Sequence, residues 1–121
     1  MQVDTVRKKV ALEIFTQVVQ KTPVDTGRAR GNWQISVGTD STGKLDRDDK
    51  KAKGSKPSFL SDEASKLGGC KGDETIYISN NLPYIKNLEY GSSKQAPNGM
   101  VGITMANVKR NIDKFIKESS E

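Results

Sequence analysis

The 121-residue sequence contains no histidine and only one cysteine, Cys70. Histidine is the side chain best suited to acid–base chemistry near neutral pH and the commonest nitrogen ligand of metals, so its absence argues against both roles. A single cysteine cannot form an intrachain disulfide, and without histidine it excludes zinc sites of the usual composition. We therefore expect no catalytic residue, no metal and no cofactor, and we expect Cys70, in a glycine-rich loop signature, to be an inert thiol.

Long apolar runs are also missing. The sequence has no stretch of about eighteen apolar residues and no charged-then-apolar N-terminal segment, so it predicts neither a membrane span nor a signal peptide, and we expect synthesis in the cytoplasm. Only 33% of the residues are hydrophobic, whereas 29% are charged. We expect a single domain over residues 1–121 with a small core. Contacts with other subunits would finish burying this core. This favours an assembly component over a self-sufficient enzyme.

The two ends of the chain have helical periodicity. Apolar residues from Val3 to Val19 recur every three or four positions, which predicts a helix over about residues 3–21 that faces the core and ends before Thr22-Pro23. A second long helix is predicted from about residue 98 to residue 118, because apolar residues return at helical spacing: Val101, Met105, Val108, Ile112, Phe115 and Ile116.

The middle of the chain carries strand signals. Residues 33–37 alternate large apolar with polar side chains, and residues 75–79 are β-branched or aromatic, so each segment predicts a strand. Residues 58–67 fit either a short helix or a strand. A short helix is predicted over about residues 83–90, with Gly91 as its left-handed cap. The predicted fold class is α+β, with two long helices packed on a small antiparallel sheet.

Residues 39–57 contain almost no apolar side chains and include a mixed-sign run from Lys44 to Lys56. Burial cannot offset the entropy of ordering such a segment, so we predict a long, mobile, basic loop or hairpin. The formal net charge of +5 comes from the same half of the chain, because residues 1–60 carry twelve Lys and Arg against seven Asp and Glu, and residues 61–121 carry eight of each. Such a bias fits nucleic acid, an acidic partner or, most commonly, a solvated face.

Two apparent motifs in this region do not support a ligand site. Residues 38–44 have the glycine and lysine frame of a phosphate-binding loop, but Leu45 stands where a Ser or Thr should bind magnesium, and no amphipathic helix follows. The carboxylates of Asp46, Asp48 and Asp49 lack the turn glycine and the terminal glutamate of a calcium loop. We interpret both patterns as turn and surface residues.

Two segments together resemble a known family. Residues 22–33 read TPVDTGRARGNW, and residues 75–105 read TIYISNNLPYIKNLEYGSSKQAPNGMVGITM. They resemble the small head-tail joining (tail-completion, neck) proteins of long-tailed bacteriophages, in which a TPVDTGR-like turn leads into a Trp-bearing strand. In that family a later strand ends in Asn-Asn and is followed by a Tyr, a Glu-Tyr-Gly and a Gln-Ala-Pro-x-Gly-Met segment. The resemblance covers roughly half the chain and is weak between Thr39 and Asp73.

The resemblance implies a structural virion protein of the phage neck that joins the head and connector to the tail. It implies a ring of identical subunits, six in number, with DNA passing nonspecifically through the lumen. The implied partners are other copies of the chain and the adjacent connector or stopper, tail terminator or tail tube proteins. No enzymatic activity and no membrane contact are implied.

The resemblance also implies that the two motifs serve subunit packing or loop bracing, through Arg28, Arg30, Trp33, Tyr84, Glu89, Tyr90, Gly91, Gln95 and Pro97. We expect Glu89 to pair with Arg28 or Arg30. The basic loop would reach a neighbouring ring or line the channel, with candidate contacts from Lys44, Arg47, Lys50, Lys51 and Lys53. Without the family, an equally good interpretation is that the tyrosines of this region complete the core and Glu89 is solvated.

Two other functions remain open. The chain could be the tail terminator or another minor tail ring protein, because such proteins share small α+β architectures. It could instead be a small basic nucleic-acid-binding module, although its seven aromatic residues fall mostly on predicted core faces and give no support for base stacking. A nucleic-acid binder should lose affinity steeply with salt, whereas a neck protein should bind little DNA alone and associate with virion proteins.

Overall fold

The computed structural model describes residues 3–24, 27–39, 43, 45, 47–70, 74–83, 85–90 and 99–111. These residues form a mixed α+β structure. In chain order its elements are α1 (Val3–Lys21), α2 (Arg28–Gly31), β1 (Gln34–Val37), α3 (Leu60–Ala64), a 3₁₀ turn (Ser65–Gly69), β2 (Ile76–Ser79), α4 (Ile85–Glu89) and α5 (Val101–Arg110). The α+β class is confirmed, and the segment of residues 58–67, for which helix and strand were both open, is helical from Leu60 onward.

Helix α1 ends where the sequence predicts, at Thr22-Pro23. The Thr22 hydroxyl donates to the Val18 carbonyl at 2.5 Å, and the Thr22 backbone N–H donates to the Val19 carbonyl at 3.1 Å. The side of the helix that is fully buried carries Ala11, Phe15, Val18 and Val19, while Val6, Val10 and Ile14 are only half-buried. The buried face of α1 is therefore centred closer to Phe15 than the apolar stripe predicted from the sequence.

Strands β1 and β2 pair antiparallel, with Ile35 opposite Ile78 and Val37 opposite Ile76. The strand pair packs against α1, and the ring of Phe15 meets that of Phe59 edge to face, with centroids 5.9 Å apart. Among the described residues, nine buried side chains form the main core cluster: Ala11, Phe15, Val18, Val19, Trp33, Ile35, Phe59, Leu67 and Met100. Edge-to-face aromatic pairs contribute about 0.5–1.5 kcal/mol beyond the area that they bury.

Helix α5 packs on α1 with a face that only partly matches the predicted one, since Val108 is buried as predicted but Val101 and Met105 are not. Met100, Thr104 and Val108 are buried, whereas Val101 and Met105 are exposed. Both sets have helical spacing, so the contact with α1 selects between them. Helix α5 is described for ten residues, and the remainder of the predicted second long helix, residues 112–118, lies outside the described residues.

The described part of residues 39–57 contains no strand, so the hairpin alternative has no support there. The mobility of this segment stays a prediction. Helix α1, with 19 residues, is the longest described helix, and none of the described helices has the length and apolar composition that a bilayer span requires.

Candidate subunit-contact site

The two motif segments meet in the structure. The Asn80 side-chain amide, just after β2, donates to the Ala29 carbonyl of α2 at 2.9 Å. The indole N–H of Trp33 donates to the Thr22 hydroxyl at 2.8 Å, which joins the end of α1 to the start of β1. Trp33 and Met100 also lie in one core cluster. The two motif segments are therefore in contact within a single chain.

Two glycines of the first motif allow residues 47–49 to approach α2. Gly27 has a φ of +85°, and a Cβ at this position would lie 2.5 Å from the Asp49 carbonyl. A Cβ at Gly31 would lie 1.8 Å from the Arg47 carbonyl oxygen. The backbone N–H of Asp49 donates to the Gly27 carbonyl at 2.8 Å. Larger residues at either glycine would push the segment away from the helix.

Arg30 is fully buried and forms an ion pair with Asp49 at 3.3 Å, where the two side chains are 0% and 1% exposed. Its guanidinium also donates to the Ser55 carbonyl at 2.8 Å, while its Nε is buried with no hydrogen-bond partner among the described residues. The pKa of the Asp49 carboxyl is lowered from its ordinary value. Burial acts to raise it, but the backbone N–H groups of Ser58 and Lys51, together with the Arg30 charge, outweigh that effect.

Glu63 is a second buried carboxylate. It accepts hydrogen bonds from the Ile35 backbone N–H at 2.7 Å, from Lys66 at 3.0 Å and from Arg47 at 3.1 Å. The pKa of Glu63 is lowered, because these donors outweigh the opposing effect of burial. Nothing in the sequence pattern singled out Glu63, since an acidic residue in a short charged helix usually faces solvent.

Arg47, a predicted lumen or partner contact, binds groups of its own chain instead. Its remaining nitrogens donate to the carbonyls of Gly31 at 2.7 Å and Trp33 at 2.8 Å, and its guanidinium lies 3.8 Å from the centre of the Phe59 ring. Such a cation over an aromatic face adds to the attraction. Arg47 therefore braces the first motif, while Lys50, Lys51 and Lys53 are exposed.

Glu89 occupies the position that links the second motif to α5. Its Oε1 accepts the backbone N–H groups of Met100 at 2.9 Å and Val101 at 2.8 Å, and its Oε2 accepts that of Gly102 at 3.0 Å. A carboxylate at a helix N-terminus satisfies orphan donors and complements the helix dipole. The pKa of Glu89 is lowered because these N–H groups outweigh the opposing effect of burial.

The expectation that Glu89 pairs with Arg28 or Arg30 is therefore wrong. Arg30 pairs with Asp49, and Arg28 lies 3.7 Å from Asp48 in a half-exposed pair. The interpretation of Glu89 as simply solvated is wrong as well. Sequence spacing could not show this, because the helix that Glu89 caps begins more than ten residues later in the chain.

Apolar side chains are exposed around this cap. Tyr90 is 85% exposed, and on α5 Val101, Ile103 and Met105 are 40%, 36% and 42% exposed. Val101 and Met105 are four positions apart and so share one helix face. Of the other predicted contact residues, Tyr84, Gly91, Gln95, Pro97 and Lys44 lie outside the described residues.

The described residues include no group of three His, Cys, Asp or Glu side chains that could hold a metal ion. Cys70 is buried. Comparisons of the chain with protein-family models, with curated proteins and with solved structures give no significant match.

Proposed function

We propose that this chain is a structural virion protein of a tailed-phage neck, one subunit of a ring around the DNA channel that joins the head and connector to the tail. The proposal starts from the resemblance carried by residues 22–33 and 75–105. It places the protein in the virion, with copies of itself and the adjacent connector, terminator or tube proteins as partners. The ring acts by adhesion through shape and charge, without catalysis.

The observation that supports it best is the Glu89 cap on α5. Three backbone N–H groups at the start of the helix bind one carboxylate, so Glu89 at the end of α4 holds the start of α5 in place. Tyr90 and three apolar residues of α5 are exposed beside the cap. Exposed apolar surface held on rigid elements is typical of a protein that associates with others.

The internal ion pairs support the same proposal. Arg30, Asp49 and Glu63 are buried with their charges matched inside the chain, so they stiffen the first motif. Among the predicted contacts, Tyr90, Lys50, Lys51 and Lys53 are the described residues that face solvent. The exposed side chains would then contact neighbouring copies, while the buried ones would brace the first motif.

Deleting the gene in the phage that carries it tests the function. We expect full heads and complete but separate tails by electron microscopy, with joining restored when the wild-type chain is supplied in trans. A Val101→Ser, Met105→Ser double variant should fold but restore joining poorly, because it removes exposed apolar surface. The control Lys109→Ser, Arg110→Ser alters exposed polar residues of the same helix and should restore joining.

Intact, infectious virions from the deletion would refute the proposal. Tails of abnormal length would instead indicate the tail terminator, since a terminator sets the point at which tail growth stops. If the Val101→Ser, Met105→Ser variant restored joining, the exposed apolar face of α5 would not be part of the contact surface.

A further inference from the structure

Folding removes part of the negative charge of a mixed-sign stretch from the surface. Residues 47–56 read RDDKKAKGSK, with one arginine and two aspartates before four lysines. The structure buries Asp49 against Arg30 and binds Arg47 to Glu63. Asp48 is exposed but lies 3.7 Å from Arg28. The charges left on the surface from residue 50 to residue 56 are four lysines: Lys50, Lys51, Lys53 and Lys56.

The backbone that carries these lysines, residues 50–56, is fixed at several points, and we refer to it as the lysine turn. Asp49 accepts the backbone N–H of Lys51 at 3.2 Å, and Arg30 donates to the Ser55 carbonyl at 2.8 Å. The Gly54 N–H donates to the Gln20 carbonyl at the end of α1, at 2.9 Å. These bonds hold the turn against Arg30 and the end of α1, so a ligand would have to supply less ordering entropy than for an untethered loop.

Like charges accumulate next to the lysine turn. Lys21, at the end of α1, has a lowered pKa, first because of burial and also because of Lys53, with Glu13 acting in the opposite direction. The lysine turn has no acidic residue between Lys50 and Lys56, and none of its lysines forms an ion pair with another described residue. An anion with several charges would relieve this repulsion.

We propose that the lysine turn binds the phosphate backbone of double-stranded DNA without reading its sequence. The inference rests on the proposed function, in which the ring surrounds DNA. Lysine ammonium groups act as point charges that suit phosphates, and the lysine turn exposes no aromatic or large apolar side chain. A turn that docks onto an acidic protein surface would be expected to expose an aromatic or arginine side chain, because these side chains dominate the energetics of protein interfaces.

Fluorescence anisotropy of the full chain with a labelled random-sequence duplex, titrated between about 50 and 200 mM KCl, tests the proposal. We expect weak binding, with a logarithm of the association constant that falls linearly with the logarithm of the salt concentration. The triple variant Lys50→Gln, Lys51→Gln, Lys53→Gln should bind about tenfold more weakly at the lowest salt, and its salt slope should be shallower by about 2–3.

The matched control is Lys86→Gln, Lys109→Gln, Arg110→Gln, which removes the same charge from exposed positions elsewhere. It should keep affinity within about twofold of the wild type and keep most of the slope. Equal losses in the two triple variants would overturn the proposal, since net charge alone would then explain binding. Circular dichroism of all three proteins establishes that the variants fold.

Two other results also count against the DNA contact. Absence of measurable DNA binding by the wild-type chain at the lowest salt would refute it. If the lysine-turn variant then still failed to join heads to tails, an acidic protein surface would be the partner. The proposed function fails separately, through intact virions after gene deletion, and that result would leave a turn-specific DNA affinity standing.

Discussion

Residues 47–58 and helix α5 both contact α1, but they do so with opposite chemistry. The first segment is rich in charge, yet it buries Asp49 and is tied to the body through Arg30, Gly27 and Gln20. The helix is rich in apolar residues, yet it leaves Val101, Ile103 and Met105 exposed. Hydropathy alone would predict neither the buried Asp49 nor the exposed apolar residues of α5.

The difference shows that burial depends on which partners the fold supplies. A charge enters the interior when an opposite charge and backbone donors satisfy it, as they do for Asp49. An apolar side chain stays outside when the chain offers no second surface to cover it. The buried charge of the segment therefore serves the internal structure of the subunit, while α5 offers an apolar surface that another molecule could cover.

Removing Arg30 should have the largest effect. Arg30→Met leaves the Asp49 carboxylate buried without its cation, and breaking a buried pair in this way costs about 3–5 kcal/mol in the free energy of unfolding. Urea denaturation followed by the fluorescence of the single, buried Trp33 measures the loss. Arg28→Ala, which disrupts the half-exposed pair with Asp48, is the control and should cost about 0–1 kcal/mol.

Adding Asp49→Leu to Arg30→Met should recover much of the stability, because the orphaned charge is then gone. Equal costs for Arg30→Met and Arg28→Ala would show that the buried pair does not hold the segment, and the contrast with α5 would collapse.

Removing the α5 cap should have a smaller effect. Glu89→Ala leaves three N–H groups at the start of the helix without their acceptor, which should cost about 1–2 kcal/mol. Hydrogen exchange of the amides of Val101 and Gly102 should accelerate more than that of β1. Lys86→Ala, on the exposed side of α4, is the control and should leave these rates unchanged. A uniform acceleration across the chain would mean that Glu89 supports the whole fold rather than the helix alone.

The smallest effect concerns acid. The pKa values of Asp49, Glu63 and Glu89 are all lowered in the folded chain. Their ionised carboxylates therefore stabilise the fold at pH values above the ordinary pKa values of 3.8 for Asp and 4.5 for Glu. This stabilisation is lost as the pH falls through the still lower folded values. The urea midpoint should therefore fall between pH 5 and pH 3, and it should fall less in Glu89→Gln than in the wild type. Identical pH profiles for the two proteins would contradict the cap.

Much of the fold could be predicted from the sequence. The end of α1 at Thr22-Pro23 and the two strands follow from proline stereochemistry and from alternating or β-branched residues. The long separation between Glu89 and the amides of Gly102, or between Arg47 and Glu63, left no local pattern from which those bonds could be inferred. The pairing inside the candidate site was not predicted, since Glu89 was expected to pair with Arg28 or Arg30.

The sequence by itself determined α1, the two strands and the apolar spacing of α5, because proline, periodicity and β-branched residues act over a few neighbouring residues. Only the tertiary structure decided which of the two apolar faces of α5 meets α1, and which charges of the mixed-sign run are neutralised inside. Those choices depend on the electrostatic and packing partners that the fold brings together from distant parts of the chain. The same choices leave the lysine turn and the outer face of α5 as the surfaces available to partners.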